Sequence, residues 1–130
     1  MTPVILDASA GVEWVLRSDT GQRVESAVTG HTIWVPEHYY VETAATVRRL
    51  QLADQISPER ASVALSRLLT IPMHRAQVRP LLSEAWALLH NITVADALYV
   101  VMAKHLHATL ITLDVSLANA PALGIATLVP

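Results

Sequence analysis

Apolar positions along this chain recur in two ways, as short unbroken runs of strand length and as stripes at three-to-four-residue spacing, and their alternation outlines a fold. Pro3-Val4-Ile5-Leu6 is a run suited to a buried strand, and it stops at Asp7-Ala8-Ser9. Ser9 is placed to cap a helix whose inner stripe is Val12, Val15 and Leu16. Asp19 or Thr20 opens a second short helix reaching Val28, and Gly30 breaks the chain before a second strand, Thr32-Ile33-Trp34-Val35. Pro36 ends that strand and starts a long helix to about Leu52, with Tyr40, Val41, Ala44, Val47 and Leu50 or Gln51 inward.

Ser57-Pro58-Glu59 combines a cap, a proline at the first helical position and an acid in the first turn, so a new helix starts there. Its inward residues are Ala61, Ala64, Leu65, Leu68 and Leu69, with Arg60 and Arg67 outward, and Ala53 to Ile56 joins the two helices into a hairpin. The outward arginines could hold phosphates or simply be solvated. Ile71-Pro72-Met73-His74 reads as an edge strand, because its proline cannot join a central ladder. A helix over Val78 to His90 follows, with Leu81, Leu82, Ala85, Trp86 and Leu89 inward, and Asn91-Ile92 links it onward.

Thr93 then caps a helix with Asp96 three residues on, and Val94, Leu98, Val101, Met102 and His105 or Leu106 form its stripe as far as about His107. Thr109-Leu110-Ile111-Thr112-Leu113 is a β-branched strand that Asp114 closes. Val115 to Ala120 makes a helical turn, Pro121 and Gly124 mark a loop, and Ile125 to Val129 is the last strand. Five short strands alternating with helices call for an α/β fold with a mostly parallel sheet covered on both faces.

Length and composition narrow the class. One domain over residues 1–130 is expected, with no linker, repeat or low-complexity segment to divide it. No apolar run approaches the ~18 residues of a membrane span, and no signal peptide is visible, so a soluble cytoplasmic protein is expected. The absence of cysteine excludes disulfides, thiolate zinc sites and cysteine nucleophiles, which leaves oxygen and imidazole as metal ligands. At 52% hydrophobic residues, so small a chain has apolar surface to spare for a partner. The net charge of −2 argues against a basic nucleic-acid face. Arg48, Arg49, Arg60, Arg67, Arg75 and Arg79 nevertheless gather in the middle third, so total charge decides nothing.

Four acids change the picture. In a layered sheet, a helix start lies at the same edge as the end of the strand that follows it, so Asp96 and Asp114 should be spatial neighbours. Asp7 ends the first strand at that edge, and Glu42 lies in the first turns of the long helix, close to the end of the second strand. Taken singly, Asp7 reads as a turn or cap residue, and Glu42 as an exposed acid on a polar stripe with Thr46 and Arg49. Together they crowd like charges into one pocket, which raises carboxylate pKa values unless a cation neutralises them. All-oxygen ligation with room for water suits Mg2+ or Mn2+, and such ions beside a phosphodiester can activate water for in-line attack.

The opening VILDAS, the VETAATV segment with Glu42, the VADALYVVMA segment with Asp96 and the closing LITLD occur in that order across nearly the whole chain. In this the sequence resembles the PIN-domain family, and within it the VapC-type toxins of bacterial type II toxin–antitoxin pairs. The resemblance implies a three-layer α/β/α fold and a metal-dependent endoribonuclease in which Asp7, Glu42, Asp96 and Asp114 bind Mg2+ or Mn2+ and carry the catalysis. Ser9 and Thr112 match the hydroxyl positions beside the acids, where they hold carboxylates in place. An RNA substrate, a homodimer, a VapB-type antitoxin whose tail covers an apolar groove and the active site, and no membrane association are further implications.

Three rivals stand beside this reading. His38 with Glu42, and the pair His105 and His107, suggest zinc but lack a full ligand set; the latter two suit a helix C-terminus instead. A phosphatase with Asp7 as nucleophile wants another acid at position nine, which is Ser9, and a nearby lysine, of which the chain has only Lys104. A non-catalytic binding module of the same fold would gain nothing from clustered acids.

Overall fold

In the computed structural model, which describes residues 1–88, 92–120 and 123–130, five parallel strands form one sheet in the order β3-β2-β1-β4-β5. The strands are β1 (Pro3–Leu6), β2 (Thr32–Pro36), β3 (His74–Ala76), β4 (Thr109–Ile111) and β5 (Thr127–Leu128). The central strand β1 pairs with β2 on one side and β4 on the other, Ile5 standing opposite Trp34 and Leu110. Val4, Ile5 and Leu6 are buried, as an unbroken apolar strand in a covered parallel sheet must be.

Among the described residues seven α-helices cover the two faces: α1 (Ala8–Leu16), α2 (Asp19–Val28), α3 (His38–Leu52), α4 (Pro58–Thr70), α5 (Leu82–Ala87), α6 (Val94–Leu106) and α7 (Val115–Ala118). The first four pack on one another, and α6 lies against β1, β2 and β4 with α5 beside it. From β1 the chain moves outward to β2 and β3, then returns across the sheet to β4 and β5. The carboxyl ends of β1 and β4 therefore flank the point where strand order reverses, which is where open α/β sheets bind ligands. Among the described residues no helix is long and apolar enough to cross a membrane.

Several details differ from the sequence pattern. In α6 the seven residues Ala97 to Ala103 are all buried, rather than one stripe, because this helix is covered by the sheet on one side and by α5 on another. The buried face of α3 is Tyr39, Thr43 and Val47, and Val41 is 71% exposed. A buried threonine breaks the apolar count, so the expected stripe is rotated. Leu65 and Leu69 of α4 also face outward, as do Leu82 and Trp86 of α5. β3 begins at His74, two residues after Pro72, because proline cannot supply a ladder N–H. The expected helix from Val78 resolves into a 3-10 turn at Arg79–Leu81 followed by the six residues of α5. Leu89, His90 and Asn91, expected at the end of that helix and in the link beyond it, lie outside the described residues, as does the expected loop residue Pro121.

The two outward arginines of α4, Arg60 exposed and Arg67 half-buried, both reach back to α1. Arg67 donates to the Val15 carbonyl at 2.8 Å and Arg60 to the Leu16 carbonyl at 3.1 Å. Both meet the last turn of α1, whose carbonyls lack helical partners and carry the negative end of the dipole.

Candidate active site

Asp7 occupies the junction between β1 and α1. Its backbone is extended, and its side chain, not that of Ser9, caps α1 by accepting the Ala10 N–H at 3.1 Å. The residue is only 4% exposed. Ser9 lies inside the first turn, and its Oγ donates to Asp7 Oδ1 at 2.6 Å. Thr112 Oγ1, arriving from the end of β4, donates to Asp7 Oδ2. Each hydroxyl is itself held by a backbone donor, Leu113 N–H to Ser9 at 2.9 Å and Asp114 N–H to Thr112 at 3.0 Å.

A carboxylate offers about four acceptor positions. Among the described residues two donors meet Oδ1 and one meets Oδ2, which leaves one acceptor position of Asp7 open there, on Oδ2. Burial pushes the Asp7 carboxyl above the ordinary 3.8; the bonds from Ser9, Thr112 and Ala10 pull it down, and the charge of Asp114 adds to the rise.

Asp114 is exposed and caps α7 by accepting the Leu117 N–H at 3.1 Å, since β4 ends earlier than expected, at Ile111. Asp96 stands in the first turn of α6, whose cap Thr93 accepts the Asp96 N–H at 3.1 Å. Its carboxyl is likewise raised, by partial burial first, against the Thr93 hydrogen bond, and then by the charges of Asp114, Glu42 and Asp7. The other three acids singled out in the sequence are thus the charges that act on Asp96, with Asp114 foremost.

Glu42 is not the free acid of a polar stripe. The Tyr99 hydroxyl of α6 donates to Glu42 Oε1 at 2.6 Å, and His38 Nε2 lies 3.3 Å from the same oxygen. His38 Nε2 also bonds the Ala95 carbonyl at 3.0 Å. Burial, followed by the bond to Glu42, raises the Tyr99 phenol far above its usual range. A cleft of about 520 Å³ has Ser9, Glu42, Thr46 and Leu113 in its wall.

Sequence reasoning missed Tyr99 altogether and noted His38 only as a zinc candidate. The signals were a lone hydroxyl inside the apolar run of α6, and the four-residue spacing of His38 and Glu42 on one helix. Engaged by the Ala95 carbonyl, His38 Nε2 has no lone pair to offer a metal. His105 pairs with Glu84 of α5 at 2.9 Å, and His107 adopts the left-handed conformation that closes α6.

Among the described residues no three of the His, Asp and Glu side chains stand close enough to ligate one ion together. The donor set is still of the kind a hard cation takes. It is all oxygen, it carries mutual repulsion that a cation would relieve, and a magnesium-like ion that keeps several waters needs only one or two direct carboxylates.

A sequence pattern described as the PIN domain matches residues 4–123. Ribonuclease VapC12 of Mycobacterium tuberculosis is 34% identical over 116 residues, spanning 89% of this chain and 90% of its own. Ribonuclease VapC1 of the same organism is 35% identical over 125 residues, with 95% and 94% covered. A crystal structure of VapBC2 from Rickettsia felis, bound to a DNA fragment from their promoter, superposes with a TM-score of 0.67 over 98% of both chains at 15% identity, which is a likeness of fold.

Proposed function

This chain belongs to the PIN-domain family, with VapC ribonucleases as its relatives, and on that premise we propose that it is a metal-dependent endoribonuclease acting as the toxin of a toxin–antitoxin pair. The observation that carries the reading is that the Asp7 and Asp96 carboxyls are both raised at the sheet edge where strand order reverses, by burial first and then by neighbouring acids, Asp114 acting on Asp7 and Asp114, Glu42 and Asp7 acting on Asp96.

In this reading Asp7, Asp96, Glu42 and Asp114 hold Mg2+ or Mn2+. When bound, such an ion lowers the pKa of water and stabilises charge on the phosphate. Asp7 contributes one fixed acceptor, Oδ2, and the hydroxyls of Ser9 and Thr112 stop the carboxylate from rotating. Asp96 and Asp114 supply further negative charge from two helix starts, and the Leu117 N–H orients the Asp114 carboxylate. Asp7 itself is a poor nucleophile with both oxygens engaged, so the oxygen that joins phosphorus comes from water while the ester P–O bond breaks.

An antitoxin of the VapB type, a homodimer and a cytoplasmic site of action complete the proposal. The exposed apolar side chains Val41, Leu52, Leu65 and Leu69, and the groove of about 320 Å³ between α3 and α4, support a protein partner there.

The test is cleavage of a pool of structured RNAs by antitoxin-free protein in Mg2+, Mn2+ or EDTA, repeated with Asp7→Asn and Asp96→Asn. Cleavage that requires the ion and falls at least about a hundredfold in both variants is expected. Equal cleavage by native protein and variants would overturn the site.

A further inference from the structure

We propose that Tyr99 and His38 are positioning residues for Glu42, a two-sided clamp that holds its carboxylate and fixes α3 against the turn of α6 that carries Asp96. The inference rests on the carboxylate-site reading above. Tyr99 is 1% exposed, and its hydroxyl is a polar group set in the wholly buried stretch of α6. Such a group is tolerated when it has a partner, and the partner is Glu42 Oε1 at 2.6 Å.

His38 approaches from the helix that carries Glu42 itself. Its Nε2 stands between two acceptors, the Ala95 carbonyl at 3.0 Å and Glu42 Oε1 at 3.3 Å, which puts the hydrogen on that nitrogen. Nδ1 is buried without a partner among the described residues, so a flipped ring would exchange a bond for none. Ala95 immediately precedes Asp96, so one imidazole ties the carboxylate of Glu42 to the backbone beside Asp96.

Both contacts fall on Oε1. Among the described residues Oε2 has no donor, and it is the oxygen Glu42 can offer to an ion. Octahedral cations are exacting about donor placement, and residues that orient a ligating carboxylate commonly change ion affinity tenfold or more when removed.

The experiment is calorimetric titration of purified, antitoxin-free protein with MnCl2 alone, using Tyr99→Phe, His38→Ala, His38→Gln and, as site control, Asp96→Asn. Far-UV circular dichroism and thermal midpoints report folding. Tyr99→Phe and His38→Ala should each bind Mn2+ about tenfold more weakly while folded. His38→Gln should regain most of the affinity, because its amide nitrogen reaches the place of Nε2. RNA cleavage by Tyr99→Phe should recover as Mn2+ is raised, a shift that a merely structural role would not produce.

Native affinity in both Tyr99→Phe and His38→Ala, with binding lost in Asp96→Asn, overturns the clamp and leaves the acidic site standing. Native affinity in Asp96→Asn removes the site and the clamp together. Should Tyr99→Phe fail to fold, the two His38 variants decide by the same criterion.

Discussion

Thr112 Oγ1 donates to Asp7 Oδ2 across 105 residues of sequence, and this buried bond joins the ends of the adjacent strands β1 and β4. It serves packing and chemistry at once, holding the most buried acid of the site in one rotamer. Thr112→Val keeps the shape and removes the donor. It should cost about 2 kcal/mol at neutral pH, the worth of a buried bond to a charged group. Cleavage should fall about tenfold or more, because Asp7 is then free to turn. Urea unfolding and RNA cleavage on one preparation check both, and unchanged cleavage would show that the hydroxyl is only structural.

The raised carboxyls of Asp7 and Asp96 set a pH dependence. Between the ordinary value of 3.8 and the higher folded value, the folded chain binds more protons than the unfolded one, so stability falls as pH rises through that window. Chemical denaturation in EDTA should therefore find these two groups favouring the fold at the acid end of the window and opposing it at pH 7. Asp96→Asn should flatten the slope. It should also raise the ion-free thermal midpoint at pH 7 by about 1–3 °C, a small gain because solvent screens a half-exposed charge. A steeper slope in Asp96→Asn would refute this account.

Removal of the Arg67 bond to Val15 should affect stability rather than RNA. Arg67→Ala is expected to lose about 1.5–3 kcal/mol, a charged hydrogen bond to a helix end. The salt dependence of RNA binding should not change. A salt slope lower by about one ion would instead identify Arg67 as a phosphate contact.

Gly21 marks where α2 crosses α1. A Cβ there would lie 2.1 Å from the Glu13 carbonyl oxygen, a backbone atom that cannot move aside without shifting the helix. Gly21→Ala should therefore cost about 3 kcal/mol or more through overpacking, read as a lowered urea midpoint. A change under about 0.5 kcal/mol would mean that the two helices part easily.

Much of the fold was legible in local pattern. Val4 to Leu6 and Leu110 to Ile111 are buried strands because unbroken apolar runs of that length have few other places to go. The caps Ser57 and Thr93 start α4 and α6 where expected, because the orphan N–H groups they satisfy lie within three residues. The order of the acids, set against alternating strands and helices, was enough to predict that Asp96 and Asp114 come together, and Asp114 is the leading charge on Asp96.

What tertiary structure alone decided are the relationships between residues far apart in sequence. Periodicity cannot say which side of α3 meets a neighbour, so the burial of Thr43 and the exposure of Val41 depended on the helices α1 and α4 packed against it. Arg60 and Arg67 read as outward side chains, for phosphates or for solvent, until the last turn of α1 came within their reach. Tyr99 carried no signal of its role until Glu42, 57 residues away, met its hydroxyl. A local pattern records the free energy of burying a face, and that is why it finds helices and strands. The partner of a buried polar atom is set by which distant backbone packs over it, and no spacing within one element carries that information.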